Sequence, residues 1–322
     1  GISYFSGQYG WGCDNVRNYE VVLSNSSIVN ASPTSNPDLY WALRGGTGVN
    51  FGLVSRFDLF TFEQGDMFGG SKIYSMVQNA SLSEAYSKFI DDAPTDEKAH
   101  LYLVFIYEAE LGGFAAGTGP VYSEPIADPP IFAQLNSIPS LMDFTGVNSM
   151  GALAVALNQT TYSRETFKTV TFKNDVNLIK AIIEIWVEEV STVLDIPGLL
   201  PACAFQPLSL PVLESMQKNG GNALGLSPTD GARTIMNLNF GWTNAADDTR
   251  VFDTVNRFVS RSVDLAKSMG LDDRFIYVNY ASKDQDVFAG YGPESEARLK
   301  EVQYRYDTSA MFKMLQPGYF KL

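Results

Sequence analysis

A cluster of glycines near the amino terminus is the first feature that could serve cofactor chemistry. Gly45, Gly46, Gly48 and Gly52 lie within PDLYWALRGGTGVNFGLVSRF, residues 37–57. The dinucleotide-binding pattern G-x-G-x-x-G requires a strand before the glycines and a helix after them. Here the order is reversed, because Asn-Pro-Asp at 36–38 is typical of a helix start and residues 51–57 are typical of a strand. The glycines therefore do not predict a phosphate loop capped by a helix.

The other reactive side chains exclude several classes of chemistry. His100 is the only histidine, and its polar neighbourhood, TDEKAH, predicts a surface position. One histidine with two distant cysteines, Cys13 and Cys203, does not predict a zinc site. The sequence has neither a G-x-S-x-G elbow nor a Walker A motif. Proton transfer would then fall to Tyr, Asp, Glu or Lys, or to a bound organic cofactor. The two cysteines could form a disulfide or stay free.

The charge balance of the chain bears on its partners. The 322 residues include 36 acidic and 23 basic side chains, which gives a net charge of −13. Nucleic-acid binding would require a basic stripe, and none is present. No apolar run approaches the roughly 18 residues of a membrane helix. We therefore expect neither nucleic acid nor membrane as a partner.

Four Asn-x-Ser/Thr sequons bear on whether the protein is secreted. The chain begins with Gly1, without an initiator methionine or a signal peptide, so we expect a processed or partial chain. Sequons arise often by chance, but four in an acidic, lysine-poor chain favour a secreted glycoprotein. The candidate acceptors are Asn25, Asn30, Asn79 and Asn158.

The elements that must position these residues can be read from hydrophobic periodicity and turn signals. Residues 19–32 predict a hairpin that turns near 25–26. Helices are predicted over 81–93, after a cap at 174–175, and over 249–269 with Gly270 as the stop. Strands are predicted over 100–109, 114–124, 202–209 and 234–242. Strands alternating with long helices predict an α+β fold, in which helices cover one face of an antiparallel sheet.

The strand TIMNLNFGW, residues 234–242, has two chemically different faces. Met236, Leu238, Phe240 and Trp242 share one face, which should meet the helices, whereas Ile235, Asn237 and Asn239 share the other. Two amides on that second face predict either a solvent-exposed surface or one wall of a polar pocket.

Three motifs in the right order resemble one family. SGQYGWGCDNVRNYEVVLSN at 6–25 resembles its YGxxxDNV-x-x-x-x-VL segment, and residues 38–57 resemble DLFWALRGGGGxNFGIVTxF. The last fifty residues match its closing pattern: Y-x-N-Y, then YG, a helix of the form xRLxxVKxxYDPxxxF, and a final FKL. The chain thus resembles a fungal FAD-linked oxidase of the berberine-bridge-enzyme-like group, within the vanillyl-alcohol-oxidase superfamily.

The resemblance implies a two-part FAD-binding domain and a separate substrate domain. Residues 1–63 and 276–322 would belong to the FAD-binding domain, and residues 64–275 would form the substrate-binding domain. The glycines between Arg44 and Phe51 would carry the chain into a strand close to the cofactor, although Thr47 and Val49 replace glycines of the family pattern. The implied cofactor-binding residues are Tyr9, Gly10, Asp14, Asn15, Gly48, Asn50, Gly52, Val54 and Asn279.

The chemistry implied by the resemblance is oxidation of a small molecule by hydride transfer to flavin, with dioxygen reduced to hydrogen peroxide. The second tyrosine of Y-x-N-Y, Tyr280, corresponds to the base of the sugar-oxidising relatives, and Tyr277 would lie at the substrate. By spacing, the carboxylate that assists this base in some relatives corresponds to a position near Gln206, which cannot accept a proton. Gln206, Asn237 and Asn239 are the expected substrate-binding residues. Without the resemblance, both tyrosines read equally well as sheet aromatics.

The family's pyrophosphate loop and flavin-tethering histidine have no counterpart in this sequence, since they lie upstream of the segment that matches Gly1. Three explanations stay open: a nicked enzyme with a separate amino-terminal fragment, a truncated chain, or a member that no longer binds flavin. Two functions are therefore predicted, an FAD-dependent secreted oxidase or a secreted glycoprotein that keeps the fold as a binding or structural module.

Overall fold

The computed structural model describes residues 1–109, 112–156 and 164–322. The strands are β1 (Val16–Val22), β2 (Ile28–Ala31), β3 (Leu53–Leu59), β4 (Met67–Gly69), β5 (Lys72–Ser75), β6 (Ala99–His100), β7 (Leu103–Glu108), β8 (Gly113–Thr118), β9 (Val121–Tyr122), β10 (Met142–Asp143), β11 (Gly146–Asn148), β12 (Arg164–Lys173), β13 (Leu200–Leu208), β14 (Arg233–Trp242) and β15 (Asp272–Asp273). The helices are α1 (Ser6–Tyr9), α2 (Pro37–Leu43), α3 (Asn79–Asp92), α4 (Ala133–Asn136), α5 (Met150–Ala156), α6 (Val176–Ser191), α7 (Leu210–Ser215), α8 (Asp248–Met269), α9 (Val287–Gly290), α10 (Pro293–Tyr306) and α11 (Met311–Leu315).

The chain divides into two compact units. The first comprises residues 1–63, 211–230 and 274–322, and the second comprises residues 64–210 and 231–273. The sequence assigned the whole of 64–275 to one middle domain, whereas residues 211–230 pack with the terminal segments. Turn signals such as Asn219-Gly220 and Asp230-Gly231 occur in and at the end of this segment, but they do not reveal which unit it packs with, because that is set by contacts distant in sequence.

The first unit is built on a small antiparallel sheet of order β2-β1-β3. β1 and β2 form the predicted hairpin, with Val22 opposite Ile28. α2 begins with Pro37 in its first turn, as predicted, and packs against α10. The hydroxyl of Tyr40 in α2 donates a 2.6 Å hydrogen bond to the carbonyl of Val16, which ties this helix to β1.

The second unit contains the large antiparallel sheet that the sequence predicts. Its order among the described residues is β10-β5-β8-β7-β13-β14-β12-β15, and every pairing is antiparallel. A smaller sheet of order β11-β4-β9-β6 lies in the same unit. Residues of α3, α6 and α8 share one buried core with Met236, Leu238, Phe240 and Trp242 of β14. Helices therefore cover one face of the sheet, and the predicted fold class is confirmed.

Local signals account for the ends of the two main helices. The carboxylate of Asp175 accepts hydrogen bonds from the amides of Asn177 and Leu178, at 2.8 and 2.9 Å, and so caps α6 as predicted. α8 ends at Gly270, whose left-handed conformation (φ 70°) suits a residue without Cβ.

Because Asn158 lies outside the described residues, that sequon has no structural account.

The surface position predicted for His100 is wrong. His100 lies in the short strand β6, is only 7% exposed, and has a pKa lowered to about 4 by burial. Its acidic and basic sequence neighbours suggested exposure. His100 nevertheless pairs with Val121 of β9, and both side chains are buried.

This burial predicts a pH dependence of stability. The folded-state pKa lies below the unfolded value near 6.5, so protonation of His100 favours the unfolded chain. The contribution to stability is complete above about pH 6.5 and falls as the pH drops towards 4, by roughly 3 kcal/mol in all. Urea unfolding of wild type and His100→Gln between pH 7 and pH 4.5 should show a shallower loss in the variant. Equal pH slopes would contradict this assignment.

No helix in the described part of the chain is long and apolar enough to cross a membrane. Within the same residues, no group of three or more His, Cys, Asp or Glu side chains could hold a metal ion.

Candidate functional site

The first unit contains an apolar cavity of about 510 Å³. Its walls come from β1, β3, the glycine segment after α2, and residues 277–279. Four of the predicted site residues line it: Gly48, Val54, Tyr277 and Asn279. At its mouth, Phe57 and Leu59 of the outer strand β3 are 56% and 58% exposed. The cavity is thus open along one edge of the small sheet.

The glycines of residues 45–52 serve two different purposes. A Cβ on Gly46 would lie 2.5 Å from the carbonyl oxygen of Ala42, and one on Gly52 would lie 2.8 Å from that of Val22. Gly45 has φ +128°. These three glycines are needed for close packing or backbone conformation. Gly48 is different, because a Cβ there would meet nothing within 4 Å and the residue lines the cavity.

Thr47 and Val49, which replace family glycines, behave differently from each other. Thr47 adopts a left-handed conformation with φ 64°, whereas Val49 does not. A β-branched residue in this region is strained. The hydroxyl of Thr47 accepts a 2.8 Å hydrogen bond from the amide of Asn50, which helps to hold the turn.

The YVNY segment forms a short 3₁₀ turn over Val278–Tyr280 at the cavity. The hydroxyl of Tyr277 accepts hydrogen bonds from the backbone amide of Ile2 at 3.1 Å and from the side-chain amide of Asn279 at 2.8 Å. Burial raises the pKa of Tyr277 to about 12, so its phenol stays protonated near neutral pH. Tyr280 is partly exposed, and its ring meets that of Tyr277 edge to face with centroids 4.9 Å apart.

Trp11 adds a hydrogen-bond donor that the sequence did not single out. Its indole ring is 1% exposed, lies 4.8 Å from the ring of Tyr277 and lines the cavity. Its Nε1–H is buried without a hydrogen-bond partner. A buried, unsatisfied N–H is costly. Its place in the wall of an apolar cavity fits a flat ring system with acceptor atoms, which is the chemistry of a flavin.

Asp14 and Asn15 lie outside the lining of the cavity and hold the first unit together. Asp14 is fully buried, and its carboxylate accepts hydrogen bonds at 2.8 Å from the amide of Trp11 and the side chain of Asn222. Burial raises the pKa of Asp14 and lowers that of nearby Lys218, whose ammonium group donates to Asn15 at 2.9 Å. Both partners, Asn222 and Lys218, come from segment 211–230, which the sequence assigned to the middle domain.

The remaining predicted flavin residues of the first unit also lie outside the cavity lining. Asn50 is fully buried, donates to the carbonyl of Phe320 at 3.0 Å and accepts from the amide of Leu322 at 3.1 Å. Tyr9 stacks on Phe62 with ring centroids 4.4 Å apart, and Gly10 has φ 74°. Gly52 is held by the close packing described above. Contact of these residues with a cofactor stays a prediction.

Cys13 and Cys203 are both free thiols. Cys13 lines the cavity, and burial raises the pKa of its thiol to about 12, so it stays protonated near neutral pH. The alternative of unpaired cysteines is therefore the one that the structure shows.

Within the second unit, the predicted substrate residues share one face of the sheet. Gln206 of β13 pairs with Ile235, and Asn237 and Asn239 follow on the same face of β14. All three side-chain carbonyl oxygens are buried without a hydrogen-bond partner. They project from the face opposite Met236 and Leu238, which belong to the helix-covered core. Binding of substrate by these amides stays a prediction.

Gly48 and Gly46 offer a matched pair of substitutions. Gly48→Ala should leave the free energy of unfolding within about 0.5 kcal/mol of wild type, because its Cβ meets open space. Gly46→Ala should cost about 1–3 kcal/mol through overpacking. In the full-length protein, only Gly48→Ala should weaken flavin retention at unchanged stability, as measured by flavin absorbance after dialysis. A fully flavin-loaded Gly48→Ala variant would show that the cavity is not the flavin site.

Comparison with known proteins identifies relatives along the whole chain. The chain is 38% identical over 338 aligned residues to the FAD-dependent monooxygenase tpcD of Cochliobolus heterostrophus. The alignment covers 100% of this chain and 64% of that protein. The chain is also 37% identical to the FAD-dependent monooxygenase FUP4 of Fusarium proliferatum, covering 100% of this chain and 65% of the relative. The chain thus spans less than two thirds of the length of both relatives. No family model matches it.

Solved structures show the same fold at low sequence identity. A variant of berberine bridge enzyme in complex with (S)-reticuline has a TM-score of 0.73 at 13% identity, covering 100% of this chain and 67% of that one. The 6-hydroxy-D-nicotine oxidase of Arthrobacter nicotinovorans has a TM-score of 0.70 at 18% identity, covering 97% of this chain and 68% of that one. The resemblance seen in the sequence motifs is confirmed: the chain is similar along its whole length to fungal FAD-dependent monooxygenases, and it has the fold of berberine bridge enzyme and 6-hydroxy-D-nicotine oxidase.

Proposed function

We propose that the protein is an FAD-dependent oxidase that removes hydride from an alcohol, sugar or secondary-metabolite substrate, with dioxygen reduced to hydrogen peroxide. The observation that carries this proposal is the apolar cavity of about 510 Å³, at which the sequence motifs shared with flavin-dependent relatives meet. Bound FAD would supply the two-electron acceptor.

The cavity residues would hold and orient the flavin ring. Val54 and the aromatic walls would pack against its faces and exclude water, while Gly48 leaves room for close approach. The unpartnered Nε1–H of Trp11 would donate to a ring heteroatom, which removes the cost of its burial. Asn279, itself donating to Tyr277, offers a side-chain carbonyl oxygen at the same wall.

Tyr280 is the proposed base, and Tyr277 is a positioning residue. The phenol of Tyr277 accepts two hydrogen bonds and has a raised pKa, so it is poorly suited to take up a proton. Tyr280 is partly exposed and rests edge to face on the anchored ring of Tyr277. A phenol with an unperturbed pKa near 10 needs help to act near neutral pH.

The three amides of the second unit are the proposed substrate contacts. Three carbonyl oxygens without partners cost about 1–3 kcal/mol each when buried, so acceptors on Gln206, Asn237 and Asn239 favour a ligand rich in hydroxyl or N–H groups. Among the proposed substrates, a sugar or another alcohol with several hydroxyl groups fits this requirement best.

A further stretch of polypeptide would complete the flavin domain, either in the same chain or as a separate fragment. β3 is the outer strand of the small sheet in the described residues, and it carries exposed Leu53, Phe57 and Leu59. An outer strand with exposed apolar side chains favours pairing with more chain. The greater length of the relatives supports the same conclusion.

Oxygen stoichiometry in the full-length protein tests the proposal. An oxidase should bind flavin and release one hydrogen peroxide for each dioxygen consumed, with no label from isotopic dioxygen in the product. Incorporation of labelled oxygen would favour a monooxygenase, which is how the relatives are named. A protein that is colourless when produced with excess flavin would favour the binding or structural module.

We also propose that the protein is a secreted glycoprotein. Asn25 and Asn30 are exposed in and beside the β1–β2 hairpin, whereas Asn79 is half-buried at the start of α3. Glycosidase treatment of protein from a secreting eukaryotic host should increase its electrophoretic mobility, and Asn25→Gln with Asn30→Gln should remove most of that shift. No change in mobility would overturn the glycoprotein assignment.

A further inference from the structure

A second cavity, of about 280 Å³, lies in the first unit and shares no residue with the flavin cavity. It is lined by Pro33, Pro37, Tyr40, Trp41, Arg44, Asn219, Gly220 and Arg298. Two guanidinium groups thus line a small space in a protein whose net charge is −13. No acidic side chain is part of the lining.

Arg44 is a fully buried cation whose hydrogen-bonding capacity is only partly used. Its terminal nitrogens donate to the backbone carbonyls of Lys218 at 3.4 Å and Asn219 at 3.0 Å, and its guanidinium lies 4.1 Å from the ring centre of Tyr40. Its Nε–H is buried without a partner. The charge of buried Asp14 interacts with Arg44 and partly offsets its burial, but the unpartnered Nε–H of Arg44 remains costly.

Arg298 supplies the second cation from helix α10. Its guanidinium lies 3.9 Å from the ring centre of Trp41, which fixes its plane and leaves its N–H groups free to bind in that plane. In the described part of the chain, no acid forms an ion pair with Arg298. The nearby carboxylate of Asp38 accepts hydrogen bonds from Arg305 and Tyr306 and is not part of the lining.

We propose that this cavity binds a small organic acid with an apolar body. Its carboxylate would lie between Arg44 and Arg298, because stacked guanidinium groups recognise planar oxyanions through their N–H edges. The apolar part would pack on Pro33 and Pro37. A cavity of about 280 Å³ accommodates a ligand with one small ring and excludes a dinucleotide. The ligand is therefore distinct from FAD.

Isothermal titration of the full-length, flavin-loaded protein with benzoate tests this site. Benzoate should bind, and benzamide, which lacks the charge, should bind far more weakly. Arg298→Gln should weaken benzoate binding roughly tenfold or more, as expected for loss of one charge-assisted hydrogen bond. Arg305→Gln removes the same charge from the same helix outside the lining, so it should leave the affinity unchanged.

Flavin absorbance reports how much flavin is bound in the other cavity. It should be equal in wild type and Arg298→Gln, which would show that the substitution affects only the second cavity. Arg44→Lys, which keeps the charge and loses the planar fork, should also weaken benzoate binding. Equal benzoate affinity in wild type and Arg298→Gln would overturn the proposal. Binding of inorganic phosphate but not benzoate, with the same dependence on Arg298, would overturn the assignment to an organic acid.

Discussion

Tyr280→Phe should lower kcat of the full-length, flavin-loaded protein by about 10²–10⁴, the usual contribution of a positioned base. The fold should be retained, because phenylalanine keeps the ring that packs edge to face on Tyr277, with 4.9 Å between centroids. Stopped-flow reduction of the flavin under anaerobic conditions measures the effect on the step at which substrate loses its proton. The flavin absorbance spectrum should be that of wild type.

Tyr277→Phe is the matched control. Its hydroxyl accepts hydrogen bonds from the amides of Ile2 and Asn279, so its removal leaves two donors unpaired and should cost stability, about 1–3 kcal/mol. We expect a smaller loss of kcat than in Tyr280→Phe, since the raised pKa of Tyr277 keeps its proton in place.

The pH profile separates a base from a positioning residue. If Tyr280 takes the proton, the rise of kcat with pH in wild type should disappear in Tyr280→Phe and persist in Tyr277→Phe. Turnover of Tyr280→Phe near the wild-type value, with the same pH profile, would show that another group takes the proton or that none is needed.

Periodicity and caps predicted the three long helices of the second unit and strands that correspond to β7, β8, β13 and β14, but not the ten-residue strand β12. The alternation in TIMNLNFGW correctly separated Met236 and Leu238, in the helix-covered core, from Asn237 on the opposite face. Asp175 and Gly270 correctly marked the ends of their helices, because capping depends on local backbone geometry. His100 was misplaced because the burial of a two-residue strand depends on what pairs with it, which its polar neighbours in sequence do not reveal.

The site was less predictable than the fold. Motif resemblance selected Tyr277 and Asn279, which line the cavity, but it also selected Asp14 and Asn50, which are buried in hydrogen-bond networks outside that lining. A motif cannot distinguish a residue that touches a ligand from one that shapes the backbone beside it. Trp11 was missed because a buried tryptophan is normally core, and only its unpartnered N–H reveals a second role.

Among changes to stability, we expect one of the largest losses from Asp273→Asn. Asp273 of β15 accepts a 2.5 Å hydrogen bond from Nε of Arg233 in β14, and their side chains are only 11% and 6% exposed. Both residues belong to the second unit, where β12 lies between their two strands. The ion pair therefore joins the last strand of the large sheet to the strand that carries Asn237 and Asn239.

Removing one partner of a buried ion pair takes a counter-ion away from the other charge, which typically costs about 3–5 kcal/mol. Asp273→Asn keeps the size and shape of the side chain, so the loss reports the charge rather than a cavity. Urea unfolding at neutral pH should therefore show a large fall in the midpoint of the transition of the second unit.

Asp195→Asn provides the control for this measurement. Asp195 also pairs with an arginine, Arg250, through two hydrogen bonds of 2.7 and 3.0 Å, but the side chains are 69% and 45% exposed. Exposed pairs contribute about 0–1 kcal/mol because water screens both charges. The same Asp→Asn change should thus cost several-fold less at position 195 than at position 273. Equal losses at the two positions would mean that burial does not set the strength of these pairs, and that the sheet edge is held by its backbone hydrogen bonds and packing instead.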